Sequence, residues 1–214
     1  MTQTDNAREL FQAAYEHRYT WDQNFPGYSA QITIKQGEEI HTGNIIIKPD
    51  MTVEISGIDK EEVKQSVANQ LRDIVTHRKR SSFEQTHGKN NFSMGKIDDH
   101  GAMEILVKGD AMGSNYKIKN TEICQVSRVM GTMAFQIDTH ASLETPEGYI
   151  SRRYDAIFHN TETGNLMREL EFEDNYEKVG DYYLMTHQTI NSKENNQVIT
   201  TEFTYSNMAL LDRA

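Results

Sequence analysis

The sequence predicts a mainly β (α+β) fold: an antiparallel, half-open β-barrel of about eleven strands, with two amphipathic helices covering the open side. Three observations carry this expectation. Turn signals recur about every ten residues from residue 82 to 211. Between them lie runs in which apolar and polar residues alternate, the period of a half-buried strand. Two other stretches, near residues 4–18 and 60–80, instead space their apolar residues at helical intervals.

The first helix is predicted over residues 4–18, where Ala7, Leu10, Phe11, Ala14 and Tyr15 form one stripe. Thr4 or Asp5 can cap its start. Pro26 and Gly27 break the chain after Trp21 and Phe25. Ala30, Ile32 and Ile34 then alternate with polar residues. Ile40–Lys48 and Met51–Ile55 follow after short turns, which makes an antiparallel meander, because a parallel crossover needs a longer connection. The second helix carries Val63, Val67, Leu71, Ile74 and Val75 on one face. Asp59 and Glu62 have capping-box spacing at its start, and His77-Arg78-Lys79-Arg80 reads as a basic last turn. From residue 82 onward strand follows strand, with turns at Asp98–Gly101, Asn120-Thr121, Thr145–Gly148 and Asn160–Gly164. Residues 81–101 read as a polar insert. No repeat or disordered linker is evident, so residues 1–214 are treated as a single domain.

Net charge is −10, which argues against nucleic acid as a partner and against an anionic membrane surface. No run approaches the roughly 18 apolar residues of a membrane helix, so no integral membrane segment is predicted. The lone Cys124 excludes an intrachain disulfide and reads as a small core residue. MTQTDNARELF has no apolar signal-peptide region, and the expected location is cytoplasmic. Mean hydropathy is −0.71, as for a domain of half-solvated strands.

The stretches "GNIIIKPDMTVEISG" and "ITTEFTYSNMALL" stand in the order helix, meander, helix, long meander. That layout resembles the Lol-type lipoprotein carriers. The resemblance implies an open β-barrel with a helical lid that holds acyl chains. The stretches "ARELFQAAYEHRYTWDQNFPGYSA", "HGKNNFSMG", "EFEDNYEKVGDYYLMT" and "ITTEFTYSN" are similar to a domain family of unknown function, common in cyanobacteria and found in plants. That second resemblance implies a soluble protein with a link to photosynthetic cells, and no activity.

A long meander has to close or to cover its edges, and a curved sheet under two helices leaves room for a ligand. Met51, Met94, Met103, Met112, Met130, Met133, Met167, Met185 and Met208 are available to line such a cavity or to fill it as ordinary core. Trp21, Phe25 and Tyr28 stand at its mouth, form a patch for a partner, or plug the end of the barrel. The expected ligand-binding residues are Trp21, Phe25, Tyr28, Met94, Met103, Met133 and Met185.

Chemistry is sparse by comparison. No two histidines have zinc-site spacing, although His140, His159 and His187 could converge through neighbouring strands. Neither a nucleophile elbow nor a phosphate loop is present, and Gly109–Ser114 does not run from strand to helix. The acidic run Glu169, Glu171, Glu173, Asp174 and Glu177 reads first as a solvated face, with Arg152 and Arg153 as cross-strand partners. Its alternative use is acid–base work or a hard cation. No catalytic residue, metal or cofactor is expected.

The expected function is therefore a soluble, non-enzymatic carrier with a hydrophobic cavity for a lipid-like or pigment-like ligand. The alternative is an interaction or assembly factor of photosynthetic cells with a filled interior. The partner is a hydrophobic small molecule in the first case and another protein in the second.

Overall fold

A computed structural model describes residues 3–109, 114–194 and 197–212. Met112 and most of the Gly109–Ser114 loop lie outside the described residues. The elements, in chain order, are α1 (Gln3–Glu16), β1 (Tyr28–Gln36), β2 (Glu39–Ile47), β3 (Val53–Ser56), α2 (Glu61–Arg78), α3 (Phe83–His87), β4 (Asn91–Ile97), β5 (Met103–Lys108), β6 (Ser114–Lys119), β7 (Glu122–Met130), β8 (Met133–Thr145), β9 (Gly148–Asn160), β10 (Leu166–Val179), β11 (Tyr182–Glu194) and β12 (Gln197–Leu210).

The strands form one sheet in the order β3-β2-β1-β12-β11-β10-β9-β8-β7-β6-β5-β4. Among the described residues twelve strands are present rather than about eleven. The stretch read as a polar insert contributes α3 and β4, and Ser82 opens α3 with a capping box to Gln85. The sheet ends in β3 and β4, so it is open and the expected barrel does not close. Both ends are blunted: β3 has four residues, and the β4–β5 register shifts between Met94 and Ile97.

The chain forms two compact units. Unit 1 comprises residues 1–19, 81–171 and 192–196, and unit 2 comprises residues 20–80, 172–191 and 197–214.

In unit 1, α1 lays its stripe on the strands. Ala7, Phe11, Ala14 and Tyr15 are buried with Phe83, Phe92, Ile105, Val107, Tyr116 and Ile118. Phe11 is the hub, with ring centroids 4.6 Å from Tyr116, 5.0 Å from His87 and 5.3 Å from Phe92. Gln3 is already helical in α1, so Thr4 and Asp5 lie within the helix and not at the expected cap position. Its far end is pinned by backbone bonds from Tyr149 N to His17 O (3.0 Å) and from Tyr19 N to Tyr149 O (2.9 Å). Gly148 permits this approach: its φ is +128°, and a Cβ there would strike the His17 carbonyl.

In unit 2, the alternation in β1 buries Tyr28, Ala30, Ile32 and Ile34. Their register partners on the same face include Ile45 and Ile47 of β2 and Phe203 and Tyr205 of β12. Helix α2 lies against β3 and buries Val67, Leu71 and Ile74. Its N-cap is Lys60, with no side-chain cap, so the Asp59/Glu62 capping box does not form. Its last turn is basic, through His77 and Arg78.

Candidate functional site

The predicted ligand residues fall in both units. In unit 2, Trp21, Phe25 and Tyr28 are core residues, at most 3% exposed, and Trp21 stacks on Phe25 with centroids 4.1 Å apart. Indole and ring thus bury each other, so of the three expectations for this segment the exposed partner patch is the one that burial contradicts. Met185 is also buried in unit 2. In unit 1, Met94 and Met103 pack against the cluster beneath α1, and Met133 is half-buried at the start of β8.

The polar expectations are redistributed as well. Glu169 and Glu171 meet Lys193 at 2.7 and 2.5 Å, so a lysine of β11 bridges that acidic face. Asp174 leaves the run: strand period two turns it to the face of Leu170, where it is 2% exposed. It accepts from Gln188 Nε2 at 2.8 Å and from the Tyr176 hydroxyl at 3.2 Å, and Arg78 donates to that hydroxyl at 3.0 Å. His187 sits in unit 2 beside Thr204 and Thr189, whereas His140 meets Asp155 at 2.7 Å in unit 1. Among the described residues, no group of three or more His, Cys, Asp or Glu is placed to hold a metal ion. Cys124 is half-buried rather than core, and burial pushes its thiol up.

What unit 1 does assemble is a continuous apolar sheet face. The side chains that α1 covers come from β4 to β7, ending with Ile123 and Val126. Register carries the same face onward. Val126 pairs with Ile137, which pairs with Ala156; Arg128 pairs with Phe135, which pairs with Phe158. Directly paired residues share a face, and so do residues two apart on one strand. Tyr116 of the α1 cluster is opposite Val126, which places all of these on the α1 side. Phe135, Ile137 and Phe158 are half-buried, and the Phe135 and Phe158 rings are 6.0 Å apart. Met133 belongs to this face by its parity with Phe135.

Arg128 stands at the edge of that face. Its Nε donates to the buried Ser114 hydroxyl at 2.8 Å. Burial first, then the charges of Arg18 and Arg128, push the nearby His87 imidazole down to about 4.

Two open grooves lie in unit 1. One, of about 300 Å³, is lined by Asn115, Ser127, Arg128, Val129, Ala134, Phe135, Gln136, Ile157 and His159. Register sets Asn115, Ser127, Gln136 and Ile157 in one row on the face away from α1. The other, of about 220 Å³, holds Glu122, Cys124, His140, Ser142 and Glu144. There the Ser142 hydroxyl donates to Glu122 at 2.7 Å, and burial followed by the neighbouring Glu144 pushes the Glu122 carboxyl up.

Sequence reasoning missed Arg128, Phe135 and Phe158. The signal was present in the two-residue Gly131-Thr132 turn, which sets Met130 opposite Met133 and hence Arg128 opposite Phe135.

A family model described as "Protein of unknown function (DUF3386)" matches residues 2–211. No curated protein matches the chain. Among solved structures, the chain is similar to a LolA superfamily protein from Nitrosomonas europaea, at 12% identity and a TM-score of 0.37, covering 97% of this chain and 94% of that one. It is similar to a DUF1329 family protein from Desulfovibrio piger, at 9% identity and a TM-score of 0.29, covering 98% and 94%. It is also similar to a chain of the MucA/MucB complex of Pseudomonas aeruginosa, at 8% identity and a TM-score of 0.25, covering 94% and 93%.

Proposed function

The chain belongs to the DUF3386 family, and from that premise we propose that it is a non-catalytic binding protein for an apolar or amphipathic small molecule. The molecule lies on the α1 side of unit 1, along β7 to β9. One observation supports this reading: the apolar face continues past the residues that α1 covers, as half-exposed Phe135, Ile137 and Phe158. Water against such a face is costly, at about 25 cal/mol per Å² of apolar surface, and a ligand tail removes that cost.

The sequence suggests an enclosed cavity. The proposed site is instead an open wall, because the region beneath α1 is filled by the rings around Phe11. Titration with the uncharged fluorophore N-phenyl-1-naphthylamine tests it. Fluorescence should rise and saturate, and Phe135→Ser should weaken binding while thermal unfolding stays cooperative. A flat titration of the folded protein would sink the proposal.

A second reading, a protein partner, draws on another observation. Val129, Met130, Leu166 and Met167 are each more than half exposed at the β7–β8 and β9–β10 hairpins. These hairpins are tied by Thr161 N donating to Thr132 O at 2.9 Å. Under this reading Met130→Ser with Met167→Ser abolishes co-purification of a stoichiometric partner and leaves fluorophore binding intact.

A further inference from the structure

Arg128 is a half-buried guanidinium in a chain of net charge −10, yet among the described residues no carboxylate pairs with it. Three other cations of unit 1 do meet carboxylates: Arg8 meets Glu84 at 2.6 Å, Lys117 meets Asp98 at 2.9 Å, and Lys193 meets Glu169 and Glu171. The Arg128 bond to Ser114 uses Nε, so among the described residues both terminal nitrogens keep their donors. A partly desolvated cation left unpaired is costly, and an anion at that point would offset the cost. The cation also borders an apolar row, since Arg128, Phe135 and Phe158 are successive cross-strand neighbours. That row spans two strand spacings, about 10 Å.

We propose that the ligand of this face carries an oxyanion headgroup, carboxylate or phosphate, that Arg128 receives while an alkyl tail lies across Phe135 and Phe158. The inference rests on the small-molecule reading of the same face and adds the charge of the ligand to it. A guanidinium presents a planar fork of donors that matches carboxylate and phosphate oxygens in a way a point charge does not. Charge-assisted bonds of this kind are about twice as strong as neutral ones.

Calorimetric titration of the full chain with decanoate, decyl phosphate and 1-decanol tests it. Either anion should bind about tenfold more tightly than the alcohol. Tighter decanoate identifies a fatty-acid-like source, and tighter decyl phosphate a phospholipid-like one. Arg128→Gln should remove the preference and leave decanol binding as it was. Arg128→Lys, which keeps the charge, should retain part of it, and raising ionic strength should erode it. Equal binding of alcohol and anions would overturn the headgroup and leave the small-molecule reading standing. A preference that survives Arg128→Gln would overturn the assignment to Arg128. Failure of all three probes to bind would remove both.

Discussion

Gln188 Nε2 donates to Asp174 Oδ1 at 2.8 Å, and both side chains are almost wholly buried in unit 2. The carboxylate also accepts from Tyr176, which in turn accepts from Arg78. Removing the acceptor therefore strands more than one donor. Asp174→Leu is expected to destabilise by about 3 kcal/mol, since each stranded buried donor costs about 1–3 kcal/mol. Urea unfolding measures this. A loss no larger than that of a surface substitution would contradict the network.

Tyr205 makes the opposite prediction. Its hydroxyl is fully buried and has no hydrogen-bond partner among the described residues, as is true of Tyr28. Burial, followed by the neighbouring charges, pushes both phenols well up, so they stay protonated. Tyr205→Phe deletes an unsatisfied polar atom and keeps the ring. It should leave stability unchanged or raise it by about 1 kcal/mol. A clear loss in urea unfolding would show that the hydroxyl has a partner.

Phe11 tests the lid of unit 1. Its ring is wholly buried among Tyr15, Phe83, His87, Phe92 and Tyr116. Phe11→Ala should cost about 3–5 kcal/mol through transfer and cavity terms. Gly148→Ala should act on the same lid from its other end, by straining the backbone where β9 meets His17, at about 1–3 kcal/mol. Hydrogen exchange of the α1 amides should rise in both variants. Unchanged protection would mean that α1 does not depend on either contact.

His87 gives the pH dependence. Its imidazole titrates near 4 in the folded chain against 6.5 when unperturbed, mainly through burial. Between those values the unfolded chain binds more protons than the folded one, so stability rises with pH there. The contribution is fully present above about 6.5 and is lost as pH falls toward 4. Thermal unfolding midpoints should fall over that window in the parent. They should fall less in His87→Phe, which keeps an aromatic ring among Phe11, Tyr15, Phe83 and Phe92. Parallel profiles would show that another group governs the acid limb.

Much of the fold was legible. Alternation in β1 foretold which side chains are buried, and the stripe of Ala7, Phe11 and Ala14 foretold the face α1 presents. Short turns specified antiparallel neighbours. What misled was local chemistry taken without context. Asp59 and Glu62 had capping spacing, but the chain starts α2 one residue after Asp59, at Lys60 as N-cap. Ser82 and Gln85 had the same signal inside a stretch that read as insert, and there the box forms. The acidic run looked uniform by charge, while strand parity sends Asp174 inward and leaves Glu169 and Glu171 for Lys193.

The candidate site was less legible. The methionines expected to form one lining divide between the units: Met94, Met103 and Met133 in unit 1, Met185 in unit 2. Trp21, Phe25 and Tyr28 are spent on each other. By itself, the sequence determined the kind of most elements, though it missed α3 and one strand, because periodicity and turn chemistry act over a few residues. Only the tertiary structure decided that, among the described residues, no carboxylate pairs with Arg128, and that the apolar face outruns the cover of α1. Those facts depend on cross-strand register and on the reach of one helix, and both are set by packing between residues far apart in the chain.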